Sequence, residues 1–351
     1  MAKRKQKKGT KKGWVLALTA LIFTGAASLF LFYRWIYANN IADKYQSPYF
    51  YVYSSDNYEA VLKRLEADGV LKNMNSFEWV AEEKNYTNNI KAGRYTIKAP
   101  LSNNDLVNLF RSGAQEPLNI IVKSFRFKER LAGYLGRKLE PDSISFLNTF
   151  NDDEFLKSYG FKPSTFPALI LPNTYEFYWN TSPEGFIARM ASEFKTFWNE
   201  ERKAKAKKLG LSQSEVSTLA SIVQSETAKN DEKPRVAGVY LNRLKKGMKL
   251  QADPTLLFAL NDFTIKRVLN IHKQVESPYN TYKYAGLPPG PILIPELSSI
   301  DAVLNAESHS YLYFCAKEDF SGYHNFATNF RQHLSNARKY QQALNERKIY
   351  K

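Results

Sequence analysis

Cysteine is almost missing: Cys315 is the only one in 351 residues. An intramolecular disulfide is therefore impossible, and a cysteine-rich metal centre is excluded. Histidine is scarce, with four residues, and no Gly-rich phosphate loop occurs. The sequence thus carries no sign of a metal, nucleotide or other cofactor. Acidic residues are outnumbered, 34 against 50 basic, for a net charge of +16. That surplus suits a polyanionic partner, either nucleic acid or an anionic envelope polymer, and does not choose between them. What is present in quantity is apolar material: 44% of residues are hydrophobic and 14% aromatic. Such a composition favours folded modules over disorder, and the length allows two or three of them.

Charge is absent from residues 13–33, a run rich in Leu, Ala and Phe. It is long enough to cross a bilayer as a helix. A signal peptide would have a shorter apolar core and a cleavage site after small residues. Gly25-Ala26-Ala27-Ser28 offers small residues, but the apolar run continues through Leu29 to Tyr33. An uncleaved, single-pass anchor is therefore expected. Trp14 on one side and Tyr33, Trp35 and Tyr37 on the other fit the two interfaces. Residues 1–12 form a basic tail, with Lys3, Arg4, Lys5, Lys7, Lys8, Lys11 and Lys12. The positive-inside rule keeps that tail in the cytoplasm and sends everything after the span outside the inner membrane. Basic surface beyond the tail would then never meet nucleic acid. A short juxtamembrane helix is read over Trp35–Tyr45.

The remainder reads as α+β. Residues 49–123 alternate strand and helix: strands near Tyr49–Tyr53, Lys91–Ile97 and Leu118–Val122, with helices between them. Ser102 is placed to cap a helix carrying Leu106, Leu109 and Phe110 inward, and Gly113 to stop it. Residues 124–165 read as a connecting helical segment. Its order resembles the segment from 50 to 84, a weak internal repeat. Phe161–Trp179, with Pro163, Pro167 and Pro172, reads as loop. Residues 166–345 would form the third, largest module. Cys315 follows a strand-like Tyr311-Leu312-Tyr313-Phe314 and reads as a small buried hydrophobe.

Within that module, Leu219–Thr255 organises the chemistry. Ser212 and Glu215 make a capping-box signature ahead of an apolar run. Val216, Leu219, Ala220, Ile222 and Val223 recur at helical spacing, and Glu226 falls on the same face. A carboxylate on an apolar face has a raised pKa, which suits a general acid near neutral pH. The same spacing also puts Glu226 in the last turn, where a carboxylate can simply reach solvent. Spacing alone leaves both readings open and favours the second. Beyond it, Asp253 in Gln251-Ala252-Asp253-Pro254-Thr255 reads as a helix cap or a second carboxylate. Ser277–Tyr282 supplies Tyr, Asn and Thr side chains of the kind that contact sugars. Gly286–Ile292 reads as a stiff Pro/Gly loop. His324 is a proton carrier or an ordinary hydrogen-bonding residue.

Taken together, Ala220–Thr227, Val239–Leu244, Gly247–Thr255, Ser277–Tyr282, Gly286–Ile292 and Tyr311–Phe314 with His324 resemble the YceG-like (MltG) family of endolytic murein transglycosylases. The resemblance covers roughly residues 170–340, and 49–123 also looks like that family's LysM-like subdomain. It implies a membrane-anchored lytic transglycosylase with a lysozyme-like Glu helix. Such an enzyme cleaves the β-1,4 bond between N-acetylmuramic acid and N-acetylglucosamine inside nascent peptidoglycan, leaving 1,6-anhydro ends. Glu226 matches the family's catalytic glutamate, acting as acid on the glycosidic oxygen and then as base on the muramyl C6 hydroxyl. Ordinary glycoside hydrolysis uses two carboxyls, whereas attack by an internal hydroxyl needs one. Gln251, Asp253, Asn280, Tyr282 and His324 are the candidates for substrate binding. Gln224 stands where the family often has an acid, Ala252 where Thr is common, and Asn173 where Asp is usual. Partners implied are glycan strands and the wall-synthesis machinery. The alternative is a non-catalytic, membrane-anchored glycan-binding scaffold.

Overall fold

The computed structural model describes residues 10–98, 100–265 and 267–347. The charged tail before position 10 lies outside the described residues. The chain divides into two compact units. The first runs to Leu118 and adds Tyr178–Asn180; the second holds 119–177 and everything from Thr181 onward. Residues 124–165, read from the sequence as a separate connector, thus belong to the second unit.

The first unit opens with α1 (Thr10–Tyr37), a single helix. Its Gly13–Tyr37 stretch is long and apolar enough to cross a membrane, and its side chains are exposed almost throughout. The separate helix expected from Trp35 does not form. No Gly or Pro interrupts α1 near Trp35, so α1 continues to Tyr37, and Asn39 and Ile41 then bridge to Ser102 and Leu71. Next come β1 (Tyr49–Val52), α2 (Tyr58–Ala67), α3 (Met74–Glu83), β2 (Gly93–Thr96) and α4 (Asn103–Ser112). The strands pair antiparallel, from Tyr49 opposite Thr96 to Val52 opposite Gly93. Asn57, Asn73 and Ser102 cap the three short helices through their side-chain oxygens. Gly113 ends α4 in the left-handed region, φ 72°. Phe50, Val61, Leu65, Phe77, Tyr95 and Phe110 fill the core between the strand pair and the helices. Each such side chain contributes about 1.5–3 kcal/mol on burial.

The second unit begins with β3 (Leu118–Val122), α5 (Lys128–Gly136), α6 (Ser143–Asn151), α7 (Asp153–Lys157) and α8 (Phe166–Leu169). Then β4 (Asn173–Phe177) pairs with β3. The stretch 161–179 is therefore not a plain loop. Pro163 sits in a turn, Pro167 at the start of α8 and Pro172 just before β4, while Tyr175 and Phe177 alternate inward between exposed neighbours. The order strand, helices, strand thus occurs twice in the chain, once in each unit.

Helices dominate from there: α9 (Pro183–Phe197), α10 (Glu200–Leu209), α11 (Gln213–Glu226), α12 (Lys233–Lys245), α13 (Asp253–Leu260) and α14 (Leu297–Leu304). A hairpin follows, β5 (Tyr313–Ala316) antiparallel to β6 (His324–Ala327), and α15 (Phe330–Glu346) closes the described chain. The strand around Cys315 starts two residues later than the sequence pattern suggests, and Cys315 is only half-buried. At the centre lies α11, whose residues from Val216 to Val223 are all buried.

Candidate active site

Helix α11 begins with the capping box expected from Ser212 and Glu215, both halves formed. Its far end carries Glu226. Three contacts fix that end. Ser221 accepts from the backbone N–H of Ile292 at 3.0 Å. Gln224 accepts from the Glu296 N–H at 2.7 Å and donates to Ser124 Oγ at 3.0 Å. The Gly286–Ile292 loop is thereby structural. At Gly290 a side chain would meet the Ser164 carbonyl oxygen at 1.9 Å, so only glycine fits there. Gln224 is engaged at both ends of its amide, which explains why a neutral side chain works at that position.

Glu226 faces a cleft of about 260 Å³ built entirely from the second unit. The lining includes Tyr240 and Arg243 from α12, Gln251 and Asp253 at the start of α13, Tyr282, Tyr313 and His333. Tyr240 Oη donates to Glu226 Oε1 at 2.5 Å. Burial raises the Glu226 carboxyl to about 7; the Tyr240 bond and the Arg243 charge oppose the shift, and the Asp253 charge adds to it. Yet the residue keeps partial access to solvent through the cleft. A carboxyl near 7, open on one side and held by a phenol on the other, can give and take a proton at neutral pH. The Tyr240 phenol itself is driven well above its usual value, first by burial and then by the Glu226 charge. It stays a donor.

Arg243 is the scaffold of the cleft floor. It donates to the carbonyls of Leu312 at 2.6 Å and Leu250 at 2.7 Å, and to Gln251 Oε1 at 3.4 Å. Gln251 sits in the left-handed region, φ 53°, an uncommon state for a residue with a side chain. Its N–H donates to the Thr281 carbonyl, and Thr281 Oγ1 accepts from Ala252 N. These bonds tie the start of α13 to the Tyr282 loop. Asp253 is the first residue of α13, with Ala252 in the cap position and no side-chain cap. The cap reading of Asp253 is therefore corrected: its carboxylate accepts from Tyr282 Oη instead. Burial and that bond push the Tyr282 phenol upward.

Two candidates lie apart from the cleft lining. Asn280 is 0% exposed. Its amide donates to the Lys273 and Val275 carbonyls and accepts from the N–H groups of Tyr282 and Lys283. All of its capacity goes into shaping the loop, so it sets Tyr282 rather than meeting a ligand. His324 Nδ1 lies 2.7 Å from Glu232 Oε2, and the backbone N–H of His324 donates to Glu232 Oε1 at 2.8 Å. Glu232 also accepts from Thr227 Oγ1, so this cluster pins the turn after Glu226 to the β5–β6 hairpin. The histidine in the cleft is His333 from α15. It stacks on Tyr313 at 5.3 Å, its buried Nδ1 has no hydrogen-bond partner among the described residues, and burial with the Arg243 charge lowers its pKa. The sequence reading missed Tyr240, Arg243 and His333.

A larger hollow of about 660 Å³ opens at the opposite end of α11, beside Ser212, Gln213 and Ser214. No carboxylate or histidine lines it. Among the described residues no cluster of His, Cys, Asp and Glu suits a metal ion.

The sequence pattern of the YceG-like family matches residues 50–339. The chain belongs to the YceG-like family. A relative in Bacillus subtilis strain 168, named endolytic murein transglycosylase, is 28% identical over 310 residues, 84% of this chain and 85% of that protein. A protein of the same name from Streptococcus pneumoniae serotype 2 is 29% identical over 291 residues, 74% of this chain. The chain spans about half (52%) of that longer relative. A solved YceG-like protein from Listeria monocytogenes has a similar fold, with a TM-score of 0.54 at 26% identity, covering 83% of this chain and 99% of the other.

Proposed function

We propose that this YceG-like protein is a membrane-anchored endolytic murein transglycosylase, with Glu226 as its acid and base. The observation that carries the reading is the Glu226 carboxyl itself, raised to about 7, held by Tyr240 and open to a cleft. The names of the relatives support the same activity. In the protonated form Glu226 gives its proton to the glycosidic oxygen between N-acetylmuramic acid and N-acetylglucosamine. The leaving sugar departs, and the carboxylate then takes the proton of the muramyl C6 hydroxyl as that oxygen attacks C1. The product is a 1,6-anhydro end, and Glu226 is protonated again. Tyr240 holds Oε1, which leaves Oε2 for the substrate. Gln251, Tyr282 and His333 supply polar groups along the cleft, and Tyr313 a ring face for a sugar.

Helix α1 serves as the anchor, with the remainder outside the cytoplasm. The strand–helix–helix–strand order of β1, α2, α3 and β2 supports a LysM-like, glycan-gripping role for the first unit. Asp253 also lines the cleft, which favours a hydrolytic alternative in which two carboxyls share the work. Digestion of purified peptidoglycan with mass spectrometry separates them. Anhydro-muramyl ends are expected; reducing ends would mean hydrolysis, and no cleavage would mean a scaffold.

A further inference from the structure

Membrane anchors are often joined to their domains by flexible linkers, and here no linker exists. Helix α1 ends at Tyr37, and Asn40, three residues on, is already buried. A network of amides locks this junction. Asn103 donates to the Trp35 carbonyl inside α1 at 2.9 Å and to Ser76 Oγ at 2.8 Å. Asn40 donates to Asn103 Oδ1 at 2.6 Å and to the Asn73 carbonyl at 2.8 Å, and accepts from the Asn73 N–H at 2.9 Å. Backbone bonds add to it: Asn40 N–H to the Leu101 carbonyl, Lys72 N–H to the Asn40 carbonyl, and Ala42 N–H to the Val70 carbonyl. Asn40 and Asn103 are 6% and 1% exposed, so breaking these bonds leaves buried polar groups unmade.

Aromatic packing continues the contact up the helix. The Phe32 and Trp79 rings meet edge to face at 5.1 Å, and Trp35 stacks on Trp79 at 6.0 Å. Trp79 belongs to α3, not to the anchor. A helix spans the roughly 30 Å hydrocarbon layer in about 20 residues. Counted from Gly13, the layer ends near Phe32, the ring that Trp79 touches. Tyr33, Trp35 and Tyr37 are exposed at the same level. Indole rings favour that interface, where one edge is apolar and the other wet.

We propose that α1 and the first unit form one rigid body, which seats the Trp79 face of α3 in the lipid headgroup layer. The proposal rests on reading α1 as a membrane anchor. Its occupant is a lipid surface, because the face is continuous with an apolar helix whose exposed length matches a bilayer. The consequence concerns substrate: a unit held flat on the membrane meets glycan only within its own height of the lipid. That is strand still close to its site of synthesis.

The test uses the full chain in phosphatidylcholine–phosphatidylglycerol nanodiscs. Cys315→Ala removes the native thiol, and single nitroxide labels are placed at Phe23, Asn75 or Glu66. Asn75 is exposed, one turn from Trp79 on α3, and Glu66 is exposed on α2. Relaxation by oxygen against a nickel chelate reports depth. The expected result is mid-bilayer for Phe23, headgroup depth for Asn75 and water for Glu66. An Asn75 label as wet as Glu66 overturns the proposal while the anchor stands. A Phe23 label in water removes the anchor reading and the proposal with it. A pair of labels at Leu29 and Glu66 should give one narrow distance distribution; a broad one means a tether and also overturns it.

Discussion

Tyr240 donates a 2.5 Å hydrogen bond to Oε1 of Glu226 from the neighbouring helix α12. The bond works against the burial that raises the carboxyl to about 7, since a donor stabilises the charged form. It also fixes which carboxyl oxygen faces the cleft. The phenol comes from α12, a helix that packs on α11 beside the carboxyl.

Removing the phenol therefore has two separable effects. In Tyr240→Phe the carboxylate loses a donor, so its pKa moves up and the alkaline limb of kcat/KM shifts above pH 7. The turnover rate should fall about tenfold at the optimum, the scale of a lost positioning bond of about 1.4 kcal/mol. A pH–rate profile on a defined glycan checks both. An unchanged alkaline limb would mean that Tyr240 does not touch the titrating group.

Glu226→Gln should abolish cleavage with glycan binding retained, and it should change stability in a pH-dependent way. The folded carboxyl titrates near 7 and the unfolded one near the ordinary value of 4.5. Between those values the folded state holds a proton that the unfolded state has lost. Wild-type stability therefore falls as pH rises from about 4.5 to 7 and levels off above. Gln removes the cost: almost no gain is expected at pH 4, and on the order of 3 kcal/mol at pH 8. Urea unfolding at the two pH values measures it. Equal gains at both would place the carboxyl's pKa in the ordinary range.

Local chemistry made much of this fold readable. Ser102 and Ser212 announce their helices because a capping box satisfies orphan N–H groups within four residues. Gly113 and Gly210 announce helix ends because they enter the left-handed region. Glu226 was visible as a carboxyl on an apolar face, but its burial was not, since that depends on α12 and α15 closing around it. The reading of 161–179 failed for the same kind of reason. Three prolines dominate the local signal, while β4 exists through pairing with a strand some fifty residues away. His324 and His333 look alike in sequence, and only the packing of β6 against Glu232 and of α15 against Tyr313 separates them.

His333 should act on binding more than on turnover. Its ring lines the cleft, and burial with the Arg243 charge lowers its pKa, so at neutral pH it offers the cleft a polar ring without a charge. His333→Phe keeps a ring on Tyr313 and removes the polar atoms. We expect KM to rise about tenfold with kcat within twofold, the value of one hydrogen bond to a ligand. His333→Gln should recover part of the loss. If kcat falls instead and KM holds, the imidazole takes part in proton transfer.

Gln251 carries backbone strain in the cleft, with φ 53° and its side chain held by Arg243. A residue with a Cβ costs about 1 kcal/mol in that conformation, and glycine does not. Strain kept at a site is commonly offset by what the side chain does there. Gln251→Gly should therefore raise the melting temperature of the second unit by a few degrees, since about 1 kcal/mol corresponds to roughly 2–4 °C in a unit of that size. It should also lower kcat/KM, because the amide no longer lines the cleft beside Glu226. Gln251→Ala separates the two terms: it loses the amide and keeps the strain, so activity falls without a gain in stability. Calorimetry and cleavage assays on the pair decide the matter. A Gly variant that is less stable than wild type would show that the bonds to Arg243 and Thr281 outweigh the strain.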